Sequence, residues 1–316
     1  MGEIDLTKAV GHASEPIPQA WTKRDVLLFA NSIGVKAEEL HLLYELDSKF
    51  AAFPTYPVLC GFRHRDDKDV VDFIARSSQG RALPGVPKLD YKRIVDGERY
   101  LEVLKPLPPT SEGHDFELQS KCVGVYDKGK AGLVIETEQL LVDKKSGEAY
   151  TKMVGSSFAV GQGGYNGPKG PKKPSYAPPK DKAPTASTET KLTPEQALLY
   201  RLNADYNPLH ADPRVGKTMG FPGVILHGLC TWNHAAVHVL RTFGGSNPEN
   251  FKSFEARFAS PVLPGQTLQT IMWETKTDDE GFTEIIFVTK VKETGKIVLA
   301  NGRARIRKEK SGSSKL

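Results

Sequence analysis

LHGLCTWNHAAVHVLRTF, residues 226–243, decides how the rest of the chain is read. Its apolar residues recur with helical spacing and leave little polar surface, the mark of a helix enclosed by other elements. Downstream comes a Pro/Gly turn, Phe258-Ala-Ser-Pro261-Val-Leu-Pro264-Gly265-Gln. Three strand-like runs then follow: TLQTIMWETKT (267–277), FTEIIFVTKVK (282–292) and KIVLANGRARI (296–306). Glu293-Thr294-Gly295 joins the last two with a hairpin signal, and Arg303, Arg305 and Arg307 alternate as on a strand with one wet face.

The upstream half repeats this plan without sequence identity. VLKPLPPTSEG (103–113) precedes DFELQSKCVGVYD (115–127), AGLVIETEQLLVD (131–143) and EAYTKMVGSSFAV (148–160), with Lys145-Ser146-Gly147 as the hairpin signal. Thr22 to Ile33 gives this half a helix, Thr22 as its cap and Val26, Leu27, Phe29, Ala30 and Ile33 as its apolar face. Each half thus supplies a helical region, a turn and an antiparallel meander. The expected class is α+β, a sheet wrapped over a helix, and two copies side by side would share one continuous sheet.

Between the halves, NGPKGPKKPSYAPPKDKAPTASTET (166–190) carries six of the 22 prolines and almost nothing to bury. Such a segment is expected to stay extended or disordered as a linker. Residues 1–165 then form the first repeat, 191–309 the second, and 310–316 a tail. Gly161-Gln162-Gly163-Gly164 lacks the strand–helix setting of a phosphate loop and is read as flexible chain.

With 316 residues, 39% of them apolar, the chain can bury two cores, and no apolar run approaches the ~18 residues of a membrane span. The net charge of +5 is local: the linker contributes +3 and residues 303–316 contribute +5, leaving −3 elsewhere. A patterned basic face for nucleic acid is therefore not expected. Three dispersed cysteines argue against a disulfide framework, and the first residues lack the apolar core of a secretory signal. Ser314-Lys315-Leu316, closing a polar run, matches the address read by the peroxisomal import receptor, so a location in the peroxisomal matrix is expected.

The chemistry concentrates in one bend. Thr193-Pro194-Glu195-Gln196 starts a helix with a capping-box pattern that runs through Tyr200-Arg201-Leu202 into Asn203-Ala204-Asp205-Tyr206-Asn207-Pro208-Leu209-His210. The proline forces Asn207 out of the helical region, so a bend separates Asp205 from His210. Across it a carboxylate and an imidazole can face one space and hold a water between them, one taking a proton as the other gives one. Asn207 can fix the orientation of either side chain or of that water. These residue types also make ordinary surface turns. Gly228, at the start of the apolar helix, leaves a backbone N–H along the positive end of the helix dipole, a donor for an oxyanion, or is there for close packing.

YRLNADYNPLHAD (200–212) followed by FPGVILHGLCT (221–231) resembles the peroxisomal hydratase 2 family. Its members are (3R)-specific trans-2-enoyl-CoA hydratases, related to MaoC-like dehydratases and to the hydratase unit of peroxisomal multifunctional enzyme type 2. FPTYPV (53–58), DGERYLEVLKPLP (96–108), YDKGKAGLVIETE (126–138), RFASPVLPGQTLQTIMW (257–273) and TKVKETGKIVLAN (289–301) extend the resemblance over nearly the whole chain. It implies a double hot-dog fold in which the second repeat keeps the catalytic motif and the first binds the acyl chain. It implies Asp205 and His210 as the acid–base pair, Asn207 as orienter and Gly228 as oxyanion donor. Asp96, Gly97, Lys128, Tyr206, Pro208, Leu209 and Phe258 become substrate and CoA contacts. The family often has His-Gly where this chain has Asp96-Gly97. CoA belongs to the substrate, and no separate cofactor or metal is implied. A homodimer is expected.

Other constellations are weaker. His227, His234 and His238 share a helix, but there is no His-Glu-x-x-His, so packing or surface roles are expected. Cys230 reads as a core residue, and no Gly-x-Ser-x-Gly or dinucleotide fingerprint occurs. The competing functions are a hot-dog thioesterase, a dehydratase acting on bulkier acyl groups, and a non-enzymatic acyl-CoA-binding module.

Overall fold

The computed structural model describes residues 4–62, 82–90 and 93–309. The Ser314-Lys315-Leu316 tail lies outside them. Five strands come from the first half: β1 (Ala13–Gln19), β2 (Ile94–Val103), β3 (Phe116–Asp127), β4 (Gly132–Asp143) and β5 (Glu148–Val160). Five come from the second: β6 (Ala186–Lys191), β7 (Phe251–Phe258), β8 (Thr267–Thr277), β9 (Thr283–Val291) and β10 (Ile297–Ile306). They form one sheet in the order β1-β3-β4-β5-β2-β7-β10-β9-β8-β6. Read outward from the central β2–β7 pair, the two halves have the same order, a two-repeat plan. At the seam Arg99 pairs with Ala256 and Leu101 with Phe254, all antiparallel. Both expected hairpin glycines take left-handed φ, Gly147 at 72° and Gly295 at 69°, which a side chain would oppose.

Among the described residues the α-helices are α1 (Lys23–Ser32), α2 (Leu40–Leu43), α3 (Gln196–Tyr200), α4 (Pro213–Thr218) and α5 (Gly228–Gly244). In α1 the Asp25 carboxylate accepts from the Thr22 backbone N–H at 2.8 Å, fixing the helix start. Helix α5 is buried along almost its entire length and has Gly245 as its left-handed cap. Trp232 meets Phe254 edge-on at 4.7 Å, and Phe254 stacks on Phe287 at 4.7 Å. Each such buried aromatic contributes about 1.5–3 kcal/mol of transfer free energy. One core cluster takes in Phe29, Phe53 and Tyr56 together with Trp232, Val239 and Phe287, so the repeats share an interior. Polar bridges also cross between them. Thr55 Oγ1 donates to Asn233 Oδ1 at 2.5 Å, and Asn203 Nδ2 donates to Ser32 Oγ at 2.8 Å.

Three local expectations change. The capping box at Thr193 does not form: the helix cap is Glu195, and Gln196 Nε2 donates to the Ser32 carbonyl of the other repeat at 2.7 Å. The Gln196 side chain is buried and turned to this tertiary partner instead of back to Thr193. The Pro/Lys-rich stretch is irregular but not a free tether, because its residues pair with the sheet's outer face. Tyr176 N–H donates to Asn301 Oδ1 at 2.6 Å, Lys173 reaches both Glu98 and Glu136, and Ala186–Lys191 is edge strand β6. The glycine segment is likewise tied down. The Asp127 carboxylate accepts from the N–H groups of Gly129 (2.8 Å), Gly164 (2.9 Å) and Tyr165 (2.6 Å). These donors hold its pKa at about 2.

Candidate active site

The bend forms as the sequence implies. Helix α3 passes into a 3₁₀ turn over Arg201–Asn203, and Ala204 then takes a left-handed φ of 80°. A non-glycine residue there stores about 1–3 kcal/mol, which the surroundings must hold in place. Asp205 follows, then Asn207, whose side chain accepts from Leu209 N–H at 3.1 Å and so caps the short 3₁₀ helix Pro208–His210. The Asn207 N–H also approaches the Asp205 carboxylate, at 3.4 Å. Asn207 therefore acts on the turn and, through its backbone, on Asp205. Pro208 opens the 3₁₀ helix and Leu209 is buried within the bend, while Tyr206 lies under the Arg201 guanidinium at 5.1 Å.

His210 is buried, and its Nδ1 lies 2.9 Å from the Ile225 carbonyl. A carbonyl only accepts, so Nδ1 carries the proton and Nε2 keeps a lone pair. Burial pushes the imidazole pKa down to about 4, so the ring is neutral at pH 7. Asp205 moves the other way. Burial raises its carboxyl to about 7, the Asn207 N–H opposes this, and the Asp96 charge adds to it. A carboxylic acid that is half protonated near neutrality thus lies beside an imidazole whose Nε2 can only accept. One polar atom from each of Asp205, His210 and His227 lies within 4.8 Å of the others.

His227 is the component that the sequence did not reveal. Its Nε2 donates to the Asp205 backbone carbonyl at 3.0 Å, and its ring stacks on His210 with centroids 3.7 Å apart and planes 28° from parallel. Its position directly before Gly228 is the only signal the sequence carries. The three side chains are an unsuitable metal cradle. An ion in the plane of one ring would stand off the other's plane by most of that 3.7 Å, whereas Zn–N bonds need about 2.0–2.1 Å with the lone pairs converging.

Gly228 is the first residue of α5, so its N–H has no acceptor within the helix. A Cβ added there would meet the Phe258 ring at 3.2 Å, so close packing is one role of this glycine. Phe258 closes β7 beside it. Asp96 pairs with Ser157 of β5, and Gly97 is the unpaired residue of a bulge before Glu98, which pairs with Ser156. The Asp96 carboxylate accepts from Arg99 Nη2 at 3.0 Å. Lys128 stands at the β3–β4 turn, donating to the Lys169 carbonyl and lying 5.7 Å from the Tyr126 ring centroid. His234 and His238 are buried in α5. His238 bridges Thr190 and Thr270 at 2.7 and 3.0 Å, a packing role, and Cys230 is a fully buried core thiol.

Residues 20–161 match the model of the MFE-2 hydratase 2 N-terminal domain, and residues 176–297 match that of the MaoC-like domain. The chain is 45% identical over 309 residues to a probable dehydratase NIT22 from Ajellomyces capsulatus, covering 94% of this chain and 81% of that one. It is 36% identical to a probable enoyl-CoA hydratase 2 from Dictyostelium discoideum, over 98% of this chain and 99% of that one. The crystal structure of a MaoC-like dehydratase from Phytophthora capsici superposes with a TM-score of 0.82 at 33% identity, covering 96% of this chain and 99% of the other. With both halves matched, a mirrored ten-stranded sheet and relatives at 36% identity over nearly the whole chain, the chain belongs to the MaoC-like hydratase 2 family of double hot-dog hydro-lyases.

Proposed function

We propose that the protein reversibly hydrates trans-2-enoyl-CoA to (3R)-3-hydroxyacyl-CoA, with Asp205 and His210 sharing the catalytic water. The observation that carries this is the opposed state of the pair, a neutral imidazole with its Nε2 lone pair presented and a carboxyl held near pKa 7. Conjugation with the thioester makes carbon 3 electrophilic. His210 Nε2 takes a proton from water as the oxygen adds to carbon 3, and negative charge grows on the thioester oxygen. The Gly228 N–H meets that charge. Asp205, protonated, gives its proton to carbon 2, and the proton on His210 then returns to Asp205 to reset the pair. Positioned acid–base groups supply roughly 10²–10⁴ in rate and one oxyanion donor roughly 10²–10³.

The (3R) stereochemistry is proposed from the resemblance to the hydratase 2 family, and relatives named enoyl-CoA hydratase 2 support an enoyl-CoA substrate. Asp96, Gly97, Lys128 and Phe258 contact the CoA portion, and the chain works without a cofactor beyond the CoA of its substrate. The Ser314-Lys315-Leu316 terminus directs it to the peroxisomal matrix, where the hydration belongs to fatty-acid β-oxidation. The test is incubation of purified protein with crotonyl- and decenoyl-CoA, following loss of the conjugated thioester absorbance and resolving the product on a chiral phase. Formation of the (3R) hydroxyacyl-CoA is expected. Release of free CoA, detected with a thiol reagent, would replace hydration by thioester hydrolysis.

A further inference from the structure

We infer that His227 is a positioning residue, which sets Asp205 and His210 against each other and joins them to the oxyanion donor. The inference rests on the hydratase function proposed above. His227 touches both halves of the acid–base pair by different means. Its Nε2–H holds the Asp205 backbone carbonyl at 3.0 Å, and its face lies on His210 at 3.7 Å. Its own backbone leads into Gly228, so a single residue spans the acid, the base and the head of α5.

Two features argue that the imidazole is there for its N–H and not as core filling. First, the residue is 1% exposed and its Nδ1 is buried with no hydrogen-bond partner, so desolvating the ring is costly and the bond to Asp205 is its compensation. A phenyl ring would fill the same space without that cost. Second, the carbonyl it holds belongs to the residue directly after Ala204, whose left-handed φ of 80° would otherwise relax and swing the carboxyl. The groups facing His227 are His210, Tyr200, Asp205 and Arg201, and burial, with the Arg201 charge adding to it, keeps the ring neutral. A neutral ring protonated at Nε2 is what the bond to the carbonyl requires.

The test compares His227→Phe, which keeps ring and volume, with His227→Gln, whose amide N–H can replace Nε2–H. His227→Phe should lower kcat by roughly 10–100-fold, the scale of a misplaced reacting group, with KM changed by less than about threefold. His227→Gln should restore kcat to within about threefold of the parent. Similar kcat for His227→Phe and the parent overturns the inference, and so does a loss in His227→Gln equal to that in His227→Phe at unchanged thermal midpoint. If the variants do not fold, ¹⁵N-histidine NMR of the unaltered protein decides: Nε2-protonated neutral His227 is expected, and an Nδ1-protonated or doubly protonated ring refutes it. A parent protein without hydratase activity would refute the proposed function, while the NMR result would still judge the geometry.

Discussion

Replacing Asp205 by Asn should make the protein much slower and, at alkaline pH, more stable. The side chain keeps its size and can still donate an N–H, but it cannot give up a proton to carbon 2. Losing a positioned acid costs roughly 10²–10⁴ in rate, or about 3–5 kcal/mol in the barrier. The pH profile gives the finer prediction. In the parent, kcat/KM should fall tenfold per unit above pH 7, as the Asp205 carboxyl ionises from about 7. On the acid side it should fall as His210 protonates near 4. The residual activity of Asp205→Asn should lack the alkaline limb. Stability moves oppositely. Because the folded-state pKa is raised from 3.8 to about 7, the stability tied to protonated Asp205 is complete below 3.8 and lost as pH rises through about 7. At about 1.4 kcal/mol per unit, ionised Asp205 costs the fold at most about 4 kcal/mol at pH 8. Thermal denaturation at pH 4 and pH 8, beside the enoyl-CoA assay, tests both. An alkaline limb that persists in Asp205→Asn, or a Tm difference from the parent that does not grow toward pH 8, would refute this account.

Asp96→Asn removes a charge that helps hold the Asp205 carboxyl up, so the alkaline limb of kcat/KM should move to lower pH; a shift upward contradicts the stated field. Gly228→Ala presses a methyl group against Phe258 at 3.2 Å, so turnover should drop by roughly tenfold or more with the fold retained. Steady-state rates near the parent's would count against Gly228 as the oxyanion donor. Asn233→Ala breaks the bridge from Thr55 and leaves the Tyr200 hydroxyl short of a partner, which should cost about 1–3 kcal/mol in urea unfolding. Removing Ser314-Lys315-Leu316 from a fluorescent fusion should turn punctate peroxisomal signal into diffuse cytosolic signal, and unchanged puncta would refute the targeting role.

What could be read from the chain was whatever is settled within a few residues. The meander strands appear within a residue or two of where alternation places them, since hairpin glycines with left-handed φ and period-two patterning are local constraints. The bend was legible because Pro208 restricts Asn207 whatever the rest of the fold does. Helix 228–244 was legible because a segment apolar on most faces must be enclosed.

The tertiary structure decided what depends on partners distant in sequence. Gln196 abandons its local cap for Ser32, 164 residues away, and the glycine segment is ordered by Asp127 rather than by itself. Asp205 and His210 could be named from the sequence, but not their charge states. These come from the Ile225 carbonyl that fixes the imidazole tautomer and from burial that moves both pKa values. His227 is hidden for the same reason: spacing shows a histidine at a helix start, and only the folded chain brings its N–H to the Asp205 carbonyl. Sequence fixes which chemical groups are present and how the backbone turns locally; desolvation and hydrogen-bond direction exist only once distant segments have met.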